Sequence, residues 1–314
     1  MHHRRVEGQP IRVVIAEDSA PPPARGPLRL RKIAVPSAYS NLDRFAVVIF
    51  GFICGVFQAT GRFPRPIDAW TYWSADLLHL YPESWGIGGL YIYPPPLAQI
   101  TNLLHPIGWG VFIVCWTTLL WAALAYMLGR WTWILVALGI AAVPFGYGAP
   151  AELSDVLGHS LNGNVQLLIA AGLVLALRGN ALGWLPALLT KVVSGIGLGW
   201  YVFRLEWRLL ARALAVTAAA CAVSFVFAPS QWGEWLGWIV NNSAAEAPVA
   251  VEPIPFLVRL PASLGLVAWG ARTKRAWVVP IAVGFGTPAL YLGTYPSMWV
   301  GAIPLFLDPR GWRR

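Results

Sequence analysis

Apolar segments separated by short polar segments follow one another along the chain from residue 45 to residue 307. Many approach the roughly 20 residues that a helix needs to cross ~30 Å of hydrocarbon, and Arg, Trp, Pro or Gly often bounds them. Helices are the expected spanning elements, because the segments lack the two-residue alternation of a β-barrel strand. The pattern predicts about ten crossings. They cover residues 45–60, 95–105, 109–128, 131–145, 165–177, 181–203, 210–228, 256–269, 277–292 and 297–307.

The composition agrees with a membrane protein. Of the 314 residues, 57% are hydrophobic and only 12% are charged, which is more apolar surface than one soluble core buries. We therefore expect an all-α integral membrane protein, a polytopic helical bundle. The net charge of +9 does not indicate a nucleic-acid partner, because the basic residues lie at segment ends and in the tails. Cys54, Cys115 and Cys221 lie inside apolar runs without partner spacing, so neither a disulfide framework nor a metal site is implied.

The basic segments predict the topology, since Lys and Arg flank helices on the cytoplasmic side. About ten crossings place the main basic segments on one side, but they leave Arg130 and Arg178 on the opposite one. A re-entrant or broken helix around residues 186–191, followed by several glycines, would rearrange this region. Both alternatives stay open. The basic segments are residues 1–44, 204–212, 271–275 and 308–314.

The resulting organisation has three parts. Residues 1–44 are expected to form a disordered, basic, cytoplasmic tail, and residues 309–314 a second basic cytoplasmic tail. Residues 45–308 are the transmembrane domain, with outer loops at about 61–93 and 229–255. The expected location is the plasma membrane, with both termini in the cytoplasm.

The first outer loop carries a candidate catalytic carboxylate. Asp68 follows the first apolar segment and is surrounded by Trp70, Tyr72 and Trp73. An ionisable group there is costly unless it faces water or a protein cavity, where it could take a proton from an attacking hydroxyl. The alternatives are a solvated loop aspartate and a helix N-cap. Asp76 would lie about 80° from Asp68 around one continuous helix, or would be a solvated surface charge.

Lys191 is the second costly charge, near the middle of the apolar run 181–203. A buried lysine needs an anionic partner, and a lipid phosphate would serve. The alternative is a lysine that snorkels from the end of a shorter helix.

A polar island over residues 152–166 interrupts two apolar segments. Asp155 and His159 are four residues apart, so they could hydrogen-bond on a helical turn. The alternative is a connecting loop in which Asn162 or Asn164 caps the next helix. No second His or Cys lies at ligand spacing from His159, so a transition-metal site is not expected.

The second outer loop combines tryptophans, among them Trp235, with amide and carboxyl groups. This combination is typical of carbohydrate recognition and equally of an amphipathic helix at the membrane interface. The chain has no Walker loop, dinucleotide fingerprint or serine-hydrolase elbow, so soluble nucleotide chemistry has no support.

The order of these features resembles glycosyltransferase family 87, membrane mannosyltransferases with the GT-C fold that use polyprenyl-phosphate sugars. The resemblance covers roughly residues 45–212. Its motifs are Asp68 with Tyr72, then Tyr81, Tyr91-Ile92-Tyr93-Pro94-Pro95, Gly163-Asn164-Val165-Gln166, Leu182-Gly183 through Lys191, and Glu206-Trp207-Arg208.

The resemblance implies an inverting transfer of a hexosyl unit, mannosyl in this family, from a polyprenyl phosphate to a lipid or glycan acceptor. Asp68 would be the catalytic base, and Lys191, with His159, would bind the donor phosphate. Membrane lipids, the donor and the acceptor are the expected partners; a divalent cation and the oligomeric state stay undecided. The remaining candidates for sugar or acceptor binding are Tyr72, Asp76, Tyr91, Tyr93 and Trp235.

Two departures from the family keep other functions open. Val192 follows Lys191 where the family commonly has proline, and no histidine follows His159. The alternatives are a catalytically inactive relative that binds lipid, and a transporter of lipids or small molecules.

Overall fold

A computed structural model of the chain describes residues 37–81, 91–142, 151–242, 254–287 and 294–308. Within these ranges the regular structure is helical, without a strand, so the all-α prediction is confirmed. The α-helices are α1 (Ser37–Ala59), α2 (Ile67–Trp73), α3 (Pro95–Leu103), α4 (Trp109–Leu128), α5 (Thr132–Ala142), α6 (Ala151–Asn162), α7 (Gln166–Leu177), α8 (Trp184–Thr190), α9 (Gly199–Phe203), α10 (Trp207–Phe227), α11 (Pro229–Asn242), α12 (Phe256–Thr273), α13 (Val278–Gly286), α14 (Thr294–Trp299) and α15 (Ala302–Leu307).

Three helical stretches are long and apolar enough to cross a membrane: Asn41–Ala59, Trp109–Ala137 and Trp207–Phe227. A fourth candidate is the pair Val156–Asn162 and Gln166–Leu177, which is bent by 108° at the break between its two parts. This is fewer than the predicted number of crossings, because several predicted crossings in the described ranges consist of short or bent helices. The helix α1 also begins at Ser37, inside the segment expected to be a disordered tail.

The helices α1 and α4 form an antiparallel pair that depends on glycine. A Cβ at Gly51 would lie 2.6 Å from Cγ of Trp121, and one at Gly55 would lie 2.8 Å from Cα of Val114. The backbones can therefore approach closely only because both positions lack a side chain. As the residue number rises along α1 it falls along α4, which defines the antiparallel direction.

Several arginines gather at one end of this pair. The guanidinium of Arg178, just after α7, donates to the hydroxyl of Tyr126 on α4 (3.3 Å), and the Tyr201 hydroxyl donates to the Ala176 carbonyl (2.8 Å). The carboxyl ends of α4, α7 and α9 therefore meet. A Cβ at Gly129 would lie 3.8 Å from Nε of Arg44, so α1 starts at the same end. We name this end, with Arg44, Arg130, Arg178 and Arg204, the basic end.

The segment 181–203 folds back on itself. A Cβ at Gly197 would lie 3.0 Å from the indole of Trp184, and one at Gly195 would lie 3.6 Å from the side chain of Leu188, so α8 runs against the following 3₁₀ turn Val192–Leu198. The helix breaks at Lys191, whose backbone is extended (φ −141°, ψ 100°). The segment is a helical hairpin with Lys191 at its tip, which agrees with the broken-helix alternative and not with the continuous crossing over residues 181–203.

The hairpin corrects the topology expected from the sequence. Both of its arms meet the rest of the fold at the basic end, since Arg178 precedes the first arm and Arg204 follows the second. Arg130 and Arg178 thus lie with the other arginines and not on the opposite side. The predicted crossing 95–105 is also absent, because α3 has nine residues and spans only about 14 Å.

Candidate functional site

Asp68 is the second residue of α2, where the partial positive charge of a helix amino terminus favours a carboxylate. The N-cap position is Pro66, which makes no side-chain capping bond. The cap comes instead from α6, whose Asn162 accepts a hydrogen bond from the backbone N–H of Ile67 (2.7 Å). Asp68 is therefore neither an N-cap nor a freely solvated loop residue.

Two amides bind one oxygen of the Asp68 carboxylate. Its Oδ2 accepts hydrogen bonds from Nδ2 of Asn162 (2.8 Å) and from Nδ2 of Asn164 (2.9 Å). The amide orientations follow from their other bonds, because the oxygen of Asn162 accepts from the Ile67 N–H and that of Asn164 from the Gln166 N–H (3.0 Å). A backbone N–H can only donate, so each nitrogen must face Asp68. Within the described ranges no group donates to Oδ1, which is left to accept a proton.

Gly163 sets the turn between these two asparagines. Its φ is +83°, a left-handed conformation that favours glycine, and a Cβ there would collide with Cβ of Ala69 and lie 3.0 Å from its backbone nitrogen. Side chains of two other helices hold the turn, since Trp116 donates to the Gly163 carbonyl (2.8 Å) and Gln58 donates to the Leu161 carbonyl. The carboxylate is therefore placed by the α1 and α4 pair as well as by its own helix.

The charge of Lys191 acts on this carboxylate. Burial raises the pKa of Asp68, whereas the hydrogen bond from Asn164, the positive charge of Lys191 and the hydrogen bond from Asn162 lower it. The positive charge of Lys191, at the tip of the hairpin, therefore favours the ionised form of Asp68. The two charges that the sequence singled out separately thus influence each other electrostatically.

Two buried tyrosines border the carboxylate. The hydroxyl of Tyr72 donates to that of Tyr93 (3.2 Å), and the rings meet edge to face with centroids 5.2 Å apart. Burial, followed by the negative charge of Asp68, raises the pKa of Tyr93. The proton of the Tyr72 hydroxyl is engaged by Tyr93, so the Tyr93 hydroxyl is the phenol whose own proton can be donated next to Asp68.

Other candidate residues lie outside this cluster or are already engaged. The Tyr91 hydroxyl donates to the Pro94 carbonyl and accepts from the Ala98 N–H, both at 2.7 Å, so it holds the start of α3. Trp235 is 8% exposed, and its ring therefore faces the protein. Its predicted role in sugar binding, like that of Tyr91, stays a prediction.

The expected relation between Asp68 and Asp76 is wrong, because α2 ends at Trp73 and no continuous helix joins them. Asp76 is exposed, and its side chain accepts the Leu78 N–H in a tight turn (2.9 Å). His159 is partly buried, one turn before Asn162 on α6, and its role at the phosphate stays a prediction. The side chain of Asp155, its predicted partner, lies outside the described residues.

The sequence analysis did not identify Arg259 as a buried residue. This residue of α12 is 5% exposed, and its Nη1 donates to the Thr287 carbonyl (2.9 Å) and to the Tyr295 hydroxyl (2.9 Å). The guanidinium thus holds the end of α13 to α14. The signal was a lone arginine near the start of an apolar segment, which is also the pattern of an ordinary interfacial anchor.

In the described part of the chain no group of three His, Cys, Asp or Glu side chains could hold a metal ion. Whether the protein depends on a metal stays undecided. Comparison with protein-family models, with curated proteins and with solved structures finds no match for this chain. The site is therefore interpreted from its own chemistry: a carboxylate with one fixed and one accepting oxygen, a phenol donor, and a cation.

Replacing Gly163 with Ala tests the placement of Asp68. The new methyl group would require a left-handed alanine and would displace α2, so we expect a loss of about 2 kcal/mol or more in the free energy of unfolding. The measurement is thermal unfolding in detergent. The control is Gly158→Ala on α6, where a Cβ meets open space; equal melting temperatures for the two variants would contradict the packing described here.

Proposed function

We propose that this chain is a membrane glycosyltransferase of the GT-C type, related to family 87. It would move a hexosyl unit, mannosyl by the resemblance, from a polyprenyl phosphate to a hydroxyl of a lipid or glycan acceptor. The observation that carries the proposal is the Asp68 carboxylate, which is bound on one oxygen by Asn162 and Asn164 and whose ionised form the charge of Lys191 favours.

The chemistry is a single displacement. Oδ1 of Asp68 accepts the proton of the acceptor hydroxyl as that oxygen attacks the anomeric carbon, and the bond from this carbon to the phosphate oxygen breaks with inversion. The leaving phosphate gains negative charge, which Lys191 stabilises. A polyprenyl phosphate is a good leaving group, so no general acid is required. The proton on Asp68 then passes to water.

The amide pair suits a general base. Asn162 and Asn164 donate to Oδ2 and so orient the carboxylate with Oδ1 toward the incoming hydroxyl. Burial raises the pKa of Asp68, and a base with a raised pKa gains more from taking a proton. Asp68 could therefore be more basic than a surface aspartate while staying ionised near neutral pH.

The basic end would face the cytoplasm and the Asp68 end the outside of the plasma membrane. Lys191 would then reach the site from within the membrane, where the phosphate of a polyprenyl donor lies close to its lipid chain.

Asp68→Asn is the direct test of the proposed base. The variant keeps the size and the polarity of the side chain but loses proton affinity, so transfer from labelled polyprenyl-phosphate mannose to mixed lipid acceptors should fall by about 10²–10⁴-fold. The matched control is Asp43→Asn, a carboxylate in α1 next to Arg44 at the basic end, which should transfer at the normal rate.

Full transfer by Asp68→Asn would remove Asp68 from the mechanism. Binding of polyprenyl phosphate by the unaltered chain with no transfer to any acceptor would instead favour the inactive lipid-binding relative.

The pH dependence of transfer offers a second test. Transfer requires ionised Asp68, so the rate should fall on the acidic side through a pKa above the ordinary aspartate value of about 3.9. In Asn164→Ala the hydrogen bond that lowers this pKa is lost, and the acidic limb should move to higher pH. The measurement is the pH profile of kcat/KM for both proteins, and coincident acidic limbs would contradict the assignment.

A further inference from the structure

The surface of helix α11 has three sectors. It begins two residues after α10 ends, and successive residues turn by 100° around its axis. One sector packs on the protein through Gln231 (4% exposed) and Trp235 (8% exposed). These two residues lie about 40° apart on the helix, so the buried sector is narrow and most of the helix surface faces outward.

The outward surface is itself split by polarity. Leu236, Ile239 and Val240 lie within about 100° of one another and are 56%, 38% and 71% exposed. The adjoining sector carries Glu234 and Asn241 with two glycines, and all of them are exposed. A helix with one apolar and one polar outward sector is typical of the membrane interface.

The end of α10 indicates what covers the apolar sector. Only 11% of the apolar stretch of α10 is buried inside the protein, so most of its surface is available to lipid. Val226 and Phe227, at its last turn, are each 80% exposed. They precede α11 in the chain, so the exposed apolar turn that ends α10 leads into the helix that carries Leu236.

We infer that α11 lies in the plane of the membrane interface, with Leu236, Ile239 and Val240 among the lipid chains and Glu234 in water. The partner is a lipid surface, and its binding is apolar in origin, because α11 contains one acidic residue and no basic residue. The affinity of this helix for the membrane should consequently not depend on anionic lipid.

This placement fixes the depth of the residues that α11 contacts. Gln231 donates to the Leu77 carbonyl (2.9 Å) and accepts from the side chain of Gln99 on α3 (2.9 Å). Tyr81, whose ring lies 6.5 Å from that of Trp238, donates to the Tyr93 carbonyl (2.8 Å). Leu77, Tyr81 and α3 are thereby held at headgroup level. The inference rests on packing and exposure and not on the proposed transferase activity.

Spin labels test the inference in the full chain. Cys54, Cys115 and Cys221 are replaced by Ala, and one new cysteine is placed at Leu236→Cys or, as the control, at Gly237→Cys. A Cβ at Gly237 meets open space, so the control should not disturb packing. The chain is reconstituted in phosphatidylcholine nanodiscs, and label relaxation by oxygen and by a water-soluble nickel chelate is compared.

We expect the ratio of oxygen access to nickel-chelate access to be several-fold higher for the label at 236 than for the label at 237. The contrast should persist when a third of the lipid is phosphatidylglycerol. Equal access of nickel to both labels would overturn the inference, because the apolar sector would then face water. A label at 236 shielded from both reagents would also overturn it, in favour of a protein partner.

Discussion

The candidate site depends on two amide groups that donate to one oxygen of a carboxylate. Asn162 and Asn164 belong to the turn between α6 and α7, and Asp68 to a short helix nearly a hundred residues earlier. A partly buried carboxylate is costly unless hydrogen bonds and a nearby cation compensate for the water it has lost. These donors supply that compensation for Oδ2 and leave Oδ1 for chemistry. The rest of the architecture can be understood as the support for this geometry.

That support has two layers. Gly163 lets the turn approach α2, while Trp116 and Gln58 bind the carbonyls on either side of Asn162. The hairpin supplies the cation, Lys191, at the point where its helix breaks. A charged lysine in an apolar region is costly unless an anion is near, and the carboxylate of Asp68 is that anion. Glycines in the second arm, such as Gly197, allow the two arms to pack closely. The same hairpin gathers the arginines at one end, in agreement with the charge asymmetry of membrane proteins.

The sequence predicted the helical class, and it predicted α4 with the bounds observed, Trp109–Leu128. It also identified Asp68 and Lys191 as costly charges. It could not distinguish a crossing from a hairpin over residues 181–203, because both use an apolar run of the same length. The role of Asn162 was equally hidden. A capping residue was expected to serve the next helix, whereas Asn162 caps α2 through a long-range contact. Arg259 was not identified, because its acceptors include backbone carbonyls at the end of α13, and no pattern of side chains in the sequence indicates such a contact.

The central claim is that Asp68 and Lys191 belong to one site, and a double-mutant cycle on stability tests it independently of activity. The free energy of unfolding in detergent is measured for the unaltered chain, Asp68→Asn, Lys191→Met and the double variant. A shared site predicts that the double variant departs from the sum of the single effects by roughly 0.5 kcal/mol or more. Additivity within about 0.3 kcal/mol would show that the two charges do not interact and would contradict the account.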